Sequence, residues 1–144
     1  MRKGYTLIEI LVVATIIALL AAVGAASYIA FNQSGRDARR KADVEQIRAA
    51  LEMYRSNNGT YPGSGVLTIS CSGGSFTAGG NTYLSKIPTD PSCSGYSYYL
   101  NVSASGDDYT LGAEMEASDP GGNCGSCGST AGSCNYCLGP YGQR

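Results

Sequence analysis

The sequence predicts an α+β chain: one long N-terminal helix, a small antiparallel sheet packed on the helix's second half, and a Cys-rich C-terminal tail. Three observations predict it. From Ile10 to Phe31, 22 consecutive residues carry no charge and are rich in Leu, Ile, Val and Ala. Beyond Arg36, apolar Val44, Ile47, Leu51 and Tyr54 recur at spacings of 3, 4 and 3, the period of one helix face. Finally, 97–102 and 109–116 alternate as strands do, with a turn-rich 103–108 between them.

The apolar run is about 33 Å long as a helix, enough to cross the hydrocarbon core of a bilayer. Glu9 stands at its start, and a charge in that position is costly in lipid and marks a function with a partner. A secretory signal peptide has a shorter apolar core and a small-residue cleavage site after it. Ala25-Ala26-Ser27 offers such a site, but the core is long and Glu9 precedes it. A plain single-span anchor is the stronger alternative. Basic residues do not fix its orientation, because Arg2 and Lys3 precede the run while Arg36, Arg39, Arg40 and Lys41 follow it.

Good helix formers dominate from Arg36 to Tyr54. Asn57-Asn58-Gly59, with Pro62 beyond, reads as the helix end. Residues 60–85 are expected to be loop-rich, with Val66–Ile69 as a short strand or helical turn. Ser72-Gly73-Gly74 and Ala78-Gly79-Gly80 break anything longer. Pro88 and Pro91 exclude a central strand. In the second predicted strand, alternation puts Tyr109, Leu111, Ala113 and Met115 on the face toward the helix.

His is absent from the 144 residues, which removes the commonest general base and metal ligand. No nucleophile–base pair or phosphate-binding loop occurs, so catalysis is not expected. The net charge of −1 hides an asymmetry: Arg36, Arg39, Arg40, Lys41, Arg48 and Arg55 outnumber the acids of the second helix half, whereas acids dominate from Ser56 onward. The basic set suggests DNA binding only weakly. With Asp37, Asp43, Glu45 and Glu52 interspersed, a solvated or intersubunit face is the expectation.

Six cysteines, Cys71, Cys93, Cys124, Cys127, Cys134 and Cys137, form an even set that argues for disulfides in an oxidising compartment. Cys71 with Cys93 would close a loop of about 23 residues, stabilising by about 3 kcal/mol. In the tail, 124–137 with 127–134 is the natural nesting, although sequence alone does not fix connectivity. The alternative is a tetrathiolate zinc site built from the two C-x-x-C pairs.

Arg2-Lys3-Gly4-Tyr5-Thr6-Leu7-Ile8-Glu9, leading into the apolar run, resembles the processing signature of type IV prepilins and pseudopilins. The resemblance implies cleavage after Gly4 by a membrane peptidase that also methylates Tyr5. This family usually has Phe where Tyr5 stands. It further implies that Glu9, with Thr6 in the same motif, serves subunit assembly by pairing with a neighbour's terminal amine. The expected organisation is a leader at 1–4, a transmembrane or filament-core helix at 5–31, its amphipathic half at 32–58, and a small head at 59–144 whose disulfide-rich tail starts near 117. Leu51–Tyr54, Asn58–Pro62, Tyr83-Leu84, Ile87–Pro91 and Tyr96–Leu111 look like head landmarks of short pilins and major pseudopilins of type II secretion, and the likeness stops after Glu116. Such pseudopilins hold calcium in a late head loop, which makes Asp90, Asp107, Asp108 and Asp119 candidate ligands. Aspartates capping turns are the plainer reading.

The implied function is polymerisation. A type IV pilus subunit is the first expectation, a type II secretion pseudopilin the second, and a membrane-tethered binding module with a metal-holding Cys tail the third. The implied partners are other copies of the subunit, the prepilin peptidase, an inner-membrane assembly platform and its ATPase. The implied location is the inner membrane as a single-pass precursor, then an extracellular pilus or a periplasmic pseudopilus.

Overall fold

The computed structural model describes residues 4–63, 65–93, 98–117, 124 and 134–143. One helix, α1 (Leu7–Asn58), is followed by strands β1 (Phe76–Ala78), β2 (Asn81–Leu84), β3 (Tyr99–Val102), β4 (Tyr109–Ala113), β5 (Tyr136–Gly139) and β6 (Gly142–Gln143). The chain divides into two compact units, Met1–Gly35 and Arg36–Arg144.

In the first unit, α1 shows its apolar side chains on every side, with Leu7 82%, Leu20 70% and Phe31 76% exposed. By length and composition this stretch suffices to span a membrane. Its few hydroxyls turn back onto the helix: Thr15 donates to the Val12 carbonyl and Ser27 to that of Val23. A polar side chain on an apolar helix is satisfied locally in this way.

In the second unit, α1 buries Val44, Ile47, Ala50 and Leu51 completely, three of them on the stripe that the 3-4-3 spacing marks. Tyr54, the fourth stripe residue, is half-buried and stacks on Phe76 at 5.5 Å. The helix stops where expected. Gly59 takes φ +82° and its N–H donates to the Arg55 carbonyl at 2.7 Å, a left-handed cap that a residue with a Cβ would strain.

The main sheet has the order β3-β4-β5-β6. Each neighbouring pair is antiparallel, and Leu111 lies opposite Leu100 on one side and Leu138 on the other. Tyr109, Leu111, Ala113 and Met115 are all buried against the helix, as their alternation predicts, although β4 ends at Ala113 and β3 starts only at Tyr99.

Two pairs of strands depart from the expectation. Phe76–Leu84 forms a hairpin, β1–β2. Gly79 and Gly80, expected to break structure, are instead its two-residue turn, with φ +58° and +81°, because a turn with both central residues left-handed matches the twist of a hairpin. Val66–Ile69 forms no strand, yet Leu67 is buried. The tail, expected only as a cross-linked loop, supplies β5 and β6. All four residues of β5 are buried. Tyr136 and Leu138 belong to the core beneath the sheet, which places Cys137 between them on the opposite face.

Candidate functional site

Gly4 and Tyr5 precede the helix and are exposed, Tyr5 by 84%. The bond between them is therefore in non-helical, accessible chain, the state a peptidase needs. Thr6 then opens α1 as its cap. Its N–H and its hydroxyl both donate to Glu9 Oε2, at 2.8 and 2.9 Å, while the Glu9 N–H donates back to the Thr6 hydroxyl at 3.3 Å. This reciprocal pair is a capping box, which satisfies backbone donors that a helix start otherwise leaves open. The T-x-x-E spacing is visible in the sequence, so the contact was legible there. It gives Glu9 a partner inside its own chain, at the threshold of the apolar run.

The second unit is organised around a buried charge. Arg40 has no solvent exposure. It reaches Asp90 from Nε at 2.7 Å and from Nη2 at 3.2 Å, Asp37 from Nη1 at 2.6 Å, and Glu116 from Nη2 at 2.9 Å. Burial alone would lower the guanidinium pKa, but the hydrogen bonds it donates to Asp90, Asp37 and Glu116 outweigh it and raise the pKa. Arg36 joins through Nε to Glu116 at 2.7 Å, with a second contact between Nη2 and the other carboxylate oxygen. Those contacts, the Arg36 hydrogen bond first, lower the Glu116 pKa to about 2. Asp37 also accepts the backbone N–H groups of Glu116 and Ala117 at 3.0 and 2.9 Å. Three helix residues, 36, 37 and 40, thus hold the point where the tail leaves β4.

Towards the other end of the same helix stretch, Glu52 accepts the hydroxyls of Tyr61 at 3.0 Å and Tyr109 at 3.1 Å. Tyr98 donates to Asp43 at 2.6 Å. Burial first, and the neighbouring carboxylate second, raise the pKa of Tyr98 and of Tyr109.

These contacts revise the reading of the basic set. Arg36 and Arg40 are consumed by Glu116, Asp37 and Asp90. Arg39 lies 3.9 Å from Asp43 and Arg48 lies 3.1 Å from Glu45. Arg55 donates to the Tyr61 hydroxyl, and Lys41 sits over the Tyr136 ring at 5.2 Å. A set expected to form a solvated or intersubunit face is largely paired within its own chain, and Arg40 is core. Helical spacing could not show this, because the partners Asp90 and Glu116 are remote in sequence.

The calcium candidates are not brought together. Asp90 is bound by Arg40 and also accepts the Ser92 N–H at 2.7 Å. Asp107 and Asp108 stand in the β3–β4 turn, where Ser103 Oγ accepts both their N–H groups and the Asp108 carboxylate accepts the Tyr109 N–H. Asp119 lies outside the described residues. Among the described residues no group of three or more His, Cys, Asp or Glu side chains is placed to hold a metal ion.

Disulfides join Cys71 to Cys93 and Cys124 to Cys137, each with Cα atoms 5.6 Å apart. Cys134 is disulfide-bonded as well, whereas its expected partner Cys127 lies outside the described residues. Thiols committed to disulfides are not available as the thiolates a zinc site needs.

Known families match both parts of the chain. The prokaryotic N-terminal methylation motif matches residues 1–25, and the type II secretion system (T2SS), protein G model matches residues 28–125. The type II secretion system core protein G of Pseudomonas aeruginosa is 33% identical over 120 residues, covering 78% of this chain and 84% of that protein. Its namesake in Vibrio cholerae is 29% identical over 132 residues, covering 84% and 88%. No solved structure matches. Together with the long helix and the small antiparallel sheet, these matches show that the chain belongs to the type II secretion system protein G family and carries a prokaryotic N-terminal methylation motif.

Proposed function

We propose that this chain is a pseudopilin, a structural rather than catalytic subunit that polymerises through its N-terminal helix into the pseudopilus of a type II secretion system. The observation that carries the reading is Glu9. It is a single carboxylate at the head of 22 uncharged residues, separated by only Tyr5–Ile8 from the exposed Gly4–Tyr5 bond. A carboxylate in an apolar helix bundle is tolerable when a cation meets it, and cleavage after Gly4 creates such a cation, the amine of Tyr5 on a neighbouring copy. The capping box with Thr6 supports the same reading by giving Glu9 a partner until that amine arrives.

The names of the relatives favour the pseudopilus over the surface pilus, reversing the order that the resemblance suggested. On this reading the precursor resides in the inner membrane as a single-pass protein. The prepilin peptidase cuts and methylates it, an ATPase-driven platform extracts it, and the assembled fibre lies in the periplasm. Glu9→Ala and Gly4→Ala test it together. Gly4→Ala should leave the leader attached. Glu9→Ala should be processed and inserted normally, yet fail to enter cross-linked multimers. A Glu9→Ala chain that multimerises like the parent would overturn the proposal.

A further inference from the structure

Helix α1 ends on Asn58, the only asparagine of the sequence that a glycine follows. Such a pair is chemically reactive. With no Cβ on the next residue to crowd it, the backbone nitrogen can close on the side-chain amide carbon. Two features of the fold oppose that closure here. Asn58 Nδ2 donates to the Tyr54 carbonyl at 2.9 Å and to the Tyr83 hydroxyl at 3.2 Å, which pins the amide from which the ring would be made. The Gly59 N–H, whose nitrogen would attack, donates to the Arg55 carbonyl at 2.7 Å. Asn58 itself is exposed, so burial gives it no protection and hydrogen bonding alone holds the two groups apart. Tyr83 belongs to β2 and to the core, and its ring lies 5.2 Å from that of Tyr54. Its bond to Asn58 therefore exists only once the β1–β2 hairpin is packed on the helix.

We propose that Asn58–Gly59 is a self-modifying site gated by folding, closed in the packed second unit and open in a chain whose head has not yet packed. In the open chain the Gly59 nitrogen attacks Asn58 Cγ. The new N–Cγ bond replaces the Cγ–Nδ2 bond, and Nδ2 leaves as ammonia with the proton that Gly59 gives up. Water then opens the succinimide ring at either carbonyl, leaving aspartate or isoaspartate. Either product damages the helix end. A carboxylate has no N–H to give the Tyr54 carbonyl, and its charge meets the negative pole of the helix. Isoaspartate also adds a carbon to the backbone immediately before the left-handed Gly59 cap. A chain that stays unpacked thus acquires an irreversible mark at the point where the helix has to stop. The site does not depend on what the assembled protein does.

The full chain in detergent micelles, incubated with and without urea and followed by peptide mass spectrometry with isoaspartate detection, tests the site. The three hydrogen bonds, at the usual net strength, should slow conversion in the folded chain by on the order of 100-fold. In urea, Asn58 should convert ahead of every other asparagine. Tyr83→Phe keeps the ring against Tyr54 and Phe76 but removes one acceptor. It should speed conversion of the folded chain by roughly five-fold and leave the rate in urea unchanged. Equal rates with and without urea would overturn the proposal. So would a folded Tyr83→Phe chain that converts no faster than the parent.

Discussion

Arg40 and Asp90, fifty residues apart, meet within the second unit with Nε to Oδ2 at 2.7 Å and almost no exposure on either side. Removing one member of such a pair leaves the other charge buried without compensation. Arg40→Ala, which leaves the buried Asp90 and Asp37 without their cation while Glu116 keeps Arg36, should destabilise by about 3–5 kcal/mol. Arg40→Lys should recover only part of that, because an ammonium lacks the planar fork that reaches several acids at once. Urea denaturation of the full chain in micelles measures both.

Acid should loosen the same cluster in a defined window. The Glu116 pKa is lowered from 4.5 to about 2 by Arg36 and Arg40, so its stabilising contribution is complete above pH 4.5 and fades as pH falls toward 2. Glu116→Gln should lower stability at neutral pH and flatten the stability–pH curve between those values. A parent curve already flat there would disprove the assignment.

Thr6→Ala removes the hydroxyl from both sides of the capping box. A lost cap costs about 1 kcal/mol, roughly a five-fold change in local opening. Amide exchange at residues 9–11, whose N–H groups the cap and the first turn hold, should quicken by about that much, with no change at Val44–Leu51.

Gly106→Ala should be poorly tolerated. Gly106 takes φ +72°, and a Cβ there would stand 3.1 Å from the Thr60 Cβ, beside the carbonyl that accepts the Tyr61 N–H at 2.8 Å. The left-handed backbone alone costs about 1–2 kcal/mol for a residue with a Cβ. The denaturation midpoint should drop while the slope stays unchanged.

What the sequence discloses depends on the distance over which each constraint acts. The Val44–Ile47–Leu51–Tyr54 stripe, the Gly59 cap and the Tyr109–Met115 alternation are local periodicities, and the structure follows them. The Thr6–Glu9 box is equally local. Arg40 was misplaced for the opposite reason. A helix pattern shows which residues share a face, but not that Asp90 and Glu116 arrive from elsewhere to neutralise one of them. The strand β5 escaped notice because Asn135–Gly139 has few aliphatic residues. Its burial comes from Cys137, Tyr136 and the neighbouring β4. The Gly139–Gly142 turn just after it was the available clue.

The strand order carries a warning for anyone trimming this protein to its recognisable portion. The protein G match ends at residue 125, yet β4 owes one of its two flanks to β5, which begins at Tyr136. A chain cut at that boundary would not be a smaller head. It would offer an unpaired run of N–H and C=O groups along Leu111–Ala113, and raw strands of that kind stick to one another and drive aggregation.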